Sequence, residues 1–150
     1  MEEPKITWLV KASDENYFAP TQDKFLGTHT PNDPLEISVQ LWNNRLGAKD
    51  VEDLKNFTIS LRFQNEEDSS LLRYCSAQAA NGEKIELHHL GSHSVLKISP
   101  DFVLSGAANN GVTSENKDNF LEFTLIFQSP TGAQIKENDL KSLILEVISQ

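Results

Sequence analysis

One cysteine, Cys75, stands in a chain of 150 residues. That scarcity excludes an internal disulfide framework and any zinc site built on several thiolates. Basic residues are also scarce: 13 Lys and Arg face 22 Asp and Glu, for a net charge of -9. Such a balance repels phosphate backbones and argues against nucleic-acid binding. No apolar run approaches a membrane span, since the longest lie around Leu125–Phe127 and Leu143–Leu145. The stretch Ile6–Val10 is too short and mixed for the core of a signal peptide. The expectation is therefore a protein made in the cytoplasm without a signal, with no membrane partner. No Gly-x-Ser-x-Gly elbow, P-loop or dinucleotide fingerprint occurs. Neither an enzyme nor a cofactor is expected.

What is present is alternation. Leu35, Ile37, Val39 and Leu41 share one side of a run whose other side carries Glu36, Ser38 and Gln40. Phe57, Ile59, Leu61 and Phe63 repeat the pattern, as do Leu121, Phe123, Leu125 and Phe127. In a helix, side chains two positions apart diverge by about 200°, so these faces exist only in strands. Further candidate strands are Ile6–Ala12, Leu71–Ala79, Lys84–Leu90, Ser94–Ser99 and Leu143–Ser149. Asn81-Gly82 predicts a type I′ hairpin turn. Seven or eight short antiparallel strands with frequent turn residues predict an all-β fold, a single β-sandwich over 1–150 of immunoglobulin-like or jelly-roll kind.

Three connections break the rhythm. Residues 13–34 hold three prolines yet carry Tyr17, Phe18, Phe25 and Leu26, which predicts a loop or arm with apolar surface to dock. Residues 43–56 place Val51 and Leu54 three apart and suggest one helical turn between sheets. Residues 105–119, rich in Gly, Ala, Asn and Ser, read as a flexible loop.

Candidate sites are few. His88, His89 and His93 are the one histidine cluster, but alternation sends His88 and His89 to opposite faces, so no metal site is expected. Asp50, Glu52 and Asp53 near Asn43 and Asn44, and the run Glu66, Glu67, Asp68, offer oxygen ligands without the spacing of a calcium loop; solvated loop tips are expected instead. Cys75 sits inside a candidate strand, where a small buried thiol is expected. For binding, Trp42 falls on the polar side of its strand, Tyr74 shares a side with Leu72 and Ser76, and Tyr17 and Phe18 lie in the arm. Exposed Trp and Tyr rings stack sugars, whereas a loop folded over Trp42 would cover it.

The segment Leu35–Arg45, followed by Asp50–Leu54 and the strand Phe57–Phe63, resembles the immunoglobulin-like sandwiches of carbohydrate-binding modules, cohesin-type domains and phage-particle accessory proteins. The likeness covers about a fifth of the chain. It implies a fold and carries no site residues with it. The expected function is a non-enzymatic structural or attachment module, taking a protein partner or further copies of itself, with a bacteriophage virion as one setting. The alternative is a carbohydrate-binding module in which Trp42 and Tyr74 stack a glycan.

Overall fold

A computed structural model describes residues 1–12, 17, 34–63, 72, 74–128 and 143–149. Nine strands appear among the described residues, in chain order: β1 Ile6–Ala12, β2 Leu35–Asn43, β3 Phe57–Phe63, β4 Cys75–Ala79, β5 Lys84–Ile85, β6 Leu87–His89, β7 Ser94–Leu96, β8 Phe120–Phe127 and β9 Leu143–Ser149. They form two antiparallel sheets, ordered β1-β2-β8-β4-β5 and β6-β7-β3-β9. The fold is an all-β sandwich.

Alternation explains the layering. Val10, Ile37, Val39, Leu41, Phe123, Leu125 and Phe127 project from the five-stranded sheet into the core. Phe57, Ile59, Leu61, Phe63, Leu143 and Leu145 answer from the four-stranded sheet. The Phe63 and Phe127 rings meet across the layers at 6.2 Å. At roughly 1.5–3 kcal/mol for each fully buried large apolar side chain, this interface is the main stabilising term.

Several expectations need correction. The run Leu71–Ala79 becomes a strand only from Cys75, and Tyr74 precedes it, packing against the core. Lys84–Leu90 is not one strand: β5 ends at Ile85 and β6 begins at Leu87 in the other sheet, so Glu86 alone hands the chain across. The Asn81-Gly82 turn is not type I′, which would need positive φ at both residues. Only Gly82 has it, at 87°, and the Ala79 N–H donates to the Glu83 carbonyl across a three-residue loop. Residues 43–56 contain no helical turn; Val51 and Leu54 are buried in extended chain, and Leu54 bridges Leu104. Of the arm 13–34, only Tyr17 and Pro34 fall within the described residues.

Candidate functional site

The outward side of the five-stranded sheet and the loops at one end of it form the candidate site. Register sets three outward rows across β1, β2 and β8: Thr7–Trp42–Phe120, Leu9–Gln40–Glu122 and Lys11–Ser38–Thr124. Parity alone thus puts Trp42 on the polar side, as the sequence suggests. Its neighbours nevertheless remove it from solvent entirely, at 0% exposure. Phe120, opposite it in register, stacks on the indole with centroids 4.7 Å apart. Just past the strand end, Arg45 folds back until its Cζ lies 5.9 Å from the ring centroid.

A polar chain runs along the same face. The Trp42 Nε1–H donates to Gln40 Oε1 at 3.0 Å, and Gln40 Nε2 donates to Glu122 Oε2 at 2.8 Å. Tyr17 comes down on this chain, beside Glu122, Gln40 and Ser38. Burial foremost, and next the Glu122 charge, push its phenol up to about 12. Lys11 Nζ sits 4.8 Å from the Tyr17 ring centroid. Lys11, Tyr17, Gln40, Trp42, Arg45 and Glu122, with Leu9, Gly111 and Thr113, surround a cavity of about 340 Å³.

The adjoining loops, 44–56 and 104–119, are pinned by asparagine side chains. Fully buried Asn43 donates to the Glu52 and Leu104 carbonyls at 3.0 and 3.2 Å, and its Oδ1 accepts the Lys5 N–H at 3.0 Å. Asn44 donates to the Lys49 and Gly106 carbonyls. Asn109 donates to the Asn44 carbonyl at 2.8 Å and accepts the amides of Leu46 and Gly111. Asn119 holds the Ser105 and Ala107 carbonyls. The expectation of a flexible 105–119 loop reads composition without these long-range partners. Amides of Asn suit this work because each offers two donors and an acceptor to backbone groups that a loop leaves unpaired.

This network presents Leu46 outward. Its φ of 61° is a left-handed value that a bulky side chain seldom takes. The residue is 59% exposed, close to Gly111, where an added Cβ would fall 2.5 Å from Leu46 Cδ2. Val112, beside it in the loop, is 43% exposed.

Of the predicted binding residues, the fold brings Trp42 and Tyr17 to one cavity. Tyr74 is elsewhere. It adjoins Cys75, paired with Phe127, whereas Trp42 pairs with Phe120 at the opposite end of β8. Seven residue steps separate those ends, roughly 23 Å at the usual strand rise. Trp42 and Tyr74 therefore cannot stack one sugar ring, and Trp42 offers no free face for doing so. Phe18 lies outside the described residues. Sequence reasoning passed over Lys11, Gln40, Arg45 and Glu122; once the strands are paired, period two puts Gln40 beside Glu122, but nothing local marks Arg45.

Two of the acidic residues of 50–53 serve the loops. Asp50 Oδ1 accepts the Ala108 N–H at 2.8 Å, and Asp53 Oδ1 accepts the Gly106 N–H at 2.9 Å. The run Glu66, Glu67, Asp68 lies outside the described residues. His88 pairs with Glu86 at 2.8 Å, while His89 and His93 each contact a neighbouring serine hydroxyl at 3.1 Å. Among the described residues no group of three His, Cys, Asp or Glu could hold a metal ion. The Cys75 thiol is pushed up to about 12 by burial. No described helix is long and apolar enough to cross a membrane.

No family model matches this chain, and no curated protein or solved structure matches it either.

Proposed function

We propose that this chain is a non-enzymatic attachment module that docks a protein partner, or another copy of itself, through the asparagine-pinned loop end. The observation that carries the reading is Leu46. An apolar side chain held at left-handed φ and 59% exposed is maintained against two penalties, backbone strain and exposed apolar surface. Asn109 secures its N–H, so the surrounding loops over-determine the conformation. A surface already fixed in shape loses little freedom on binding, which favours affinity.

The chemistry of the other groups supports the same reading. Asp50 and Asp53 are engaged by backbone amides, and a thiol titrating near 12 is no nucleophile at neutral pH. A virion accessory role is one form of this function, and copurification with particles from the source would test that form.

The module reading is tested by a photo-crosslinking residue placed at position 46 and, in a control, at exposed Gln78. Position 46 is expected to trap one defined protein, or a second copy of this chain, in the source cell. Equal trapping at both positions, or none at 46, would overturn the proposal.

A further inference from the structure

Among the described residues, the lining of the cavity beside the pinned loops holds two cations, Lys11 and Arg45, against one carboxylate, Glu122, in a protein of net charge -9. Neither cation takes part in the ion pairs found among the described residues. Each is instead held over an aromatic ring, Lys11 on Tyr17 and Arg45 on Trp42. The Arg45 Nε is buried and has no hydrogen-bond partner among the described residues. A buried donor of that kind is unfavourable until an acceptor arrives.

The one carboxylate is already engaged. Glu122 accepts from Gln40 Nε2 at 2.8 Å and lies beside Tyr17. Its oxygens retain further lone-pair sites, which can accept only from a donor such as a hydroxyl. Thr113 adds a hydroxyl, and Leu9 supplies apolar wall. A ligand complementary to these groups would carry a carboxylate for the cations and hydroxyls for Glu122 and Thr113. At about 340 Å³ the cavity lies near the lower end of small-molecule sites, room for a single ring.

We infer that this cavity binds a carboxylated sugar unit, a uronic acid, with the lining cations Arg45 and Lys11 supplying the positive charge that its carboxylate needs and Glu122 and Thr113 meeting its hydroxyls. The planar guanidinium fork matches a carboxylate. The sugar needs no stacking face on Trp42, so the covered indole is compatible with it. The site is independent of docking at Leu46, and either can fail without the other.

The test is calorimetric titration of the intact chain with glucuronate and galacturonate, against glucose, acetate and inorganic phosphate. Saturable binding of at least one uronate is expected, with glucose, acetate and phosphate each weaker by about tenfold or more, equivalent to 1.4 kcal/mol. Lys11→Gln, a change on a strand side chain reaching solvent, is expected to weaken uronate binding by about tenfold with the thermal midpoint unchanged. Arg45→Gln should do the same, with circular dichroism verifying the fold. No binding of either uronate would overturn the proposal. So would phosphate or acetate binding as tightly as the uronates, which would mark a simple anion site, or uronate binding unaffected in a folded Lys11→Gln variant.

Discussion

The indole N–H of Trp42 donates to Gln40 Oε1 at 3.0 Å, two residues back along the same side of β2. In an isolated strand, successive same-side residues lie roughly 7 Å apart and ordinarily face solvent. Here the bond is closed over by Phe120 and Arg45, so the polar end of the indole is satisfied while its rings are buried. Trp42→Ala would remove the ring and open a cavity, at an expected cost of about 3–5 kcal/mol in urea or guanidinium unfolding. Trp42→Phe would retain most of the packing and orphan the Gln40 oxygen, at an expected cost of about 1–3 kcal/mol. Loss of any binding in Trp42→Ala would then report a lost fold rather than a lost stacking platform.

Asn43 is the densest tie between the loop end and the sheet. Asn43→Ala would leave the Lys5 N–H and the Glu52 and Leu104 carbonyls without this partner. A loss of roughly 2–4 kcal/mol is expected, with hydrogen exchange accelerating at the Leu54 and Leu104 amides, which bond to each other's carbonyls beside it. Asn43→Asp, the same shape without the two donors, should lose comparably; wild-type stability in both variants would refute the clamp.

Gly106 is required for space rather than for backbone freedom. A Cβ there would lie 2.1 Å from the Val51 carbonyl oxygen and 2.5 Å from that of Glu52. Neither neighbour can yield without breaking the Val51 N–H bond to the Gly106 carbonyl at 2.8 Å. Gly106→Ala is expected to cost about 1–3 kcal/mol by overpacking, read as a lower denaturation midpoint.

Alkaline pH should loosen the molecule at two places. Cys75 and Tyr17 both have pKa values raised by burial, from 9.0 and 10.0 respectively to about 12. The folded state holds each proton more tightly than the unfolded chain does. Their contribution is therefore complete below about pH 9 and is lost as pH climbs toward 12. Denaturation midpoints measured across that interval should fall. In a spectrophotometric titration one of the chain's two phenols should ionise near 12, and iodoacetamide should label Cys75 slowly until denaturant is added.

The strands were legible where apolar residues recur at every second position. β1 and β9 coincide with the expected runs, and β2, β3 and β8 differ by a residue or so; Leu9 in β1 and Ile144 and Ile148 in β9 interrupt the alternation without hiding it. Lys84–Leu90 misleads for a physical reason: Ile85 and Leu87 continue the alternation across Glu86, and nothing in that pattern records a change of sheet. The loops were the least legible. Asn44 bonds to Gly106, 62 positions away, and Asn109 to Asn44, 65 away. Local composition shows only polar, small residues there, which is also what an untethered loop looks like. The candidate cavity was half visible. Trp42 and Tyr17 stood out as aromatics, but Arg45 becomes a cavity residue only when Phe120 and the end of β2 are brought side by side.

Glu86 works as a stitch. One peptide unit fastens the upper fabric to the lower along this seam, and its carbonyl is tacked to the Lys97 N–H at 3.0 Å. With no slack in the thread, the spacing of the two layers at this hem is dictated by covalent length as well as by what fills the gap. Lengthening the chain here by even a short glycine insert would give that hem play, and the sandwich would gape first on the side of β5 and β6.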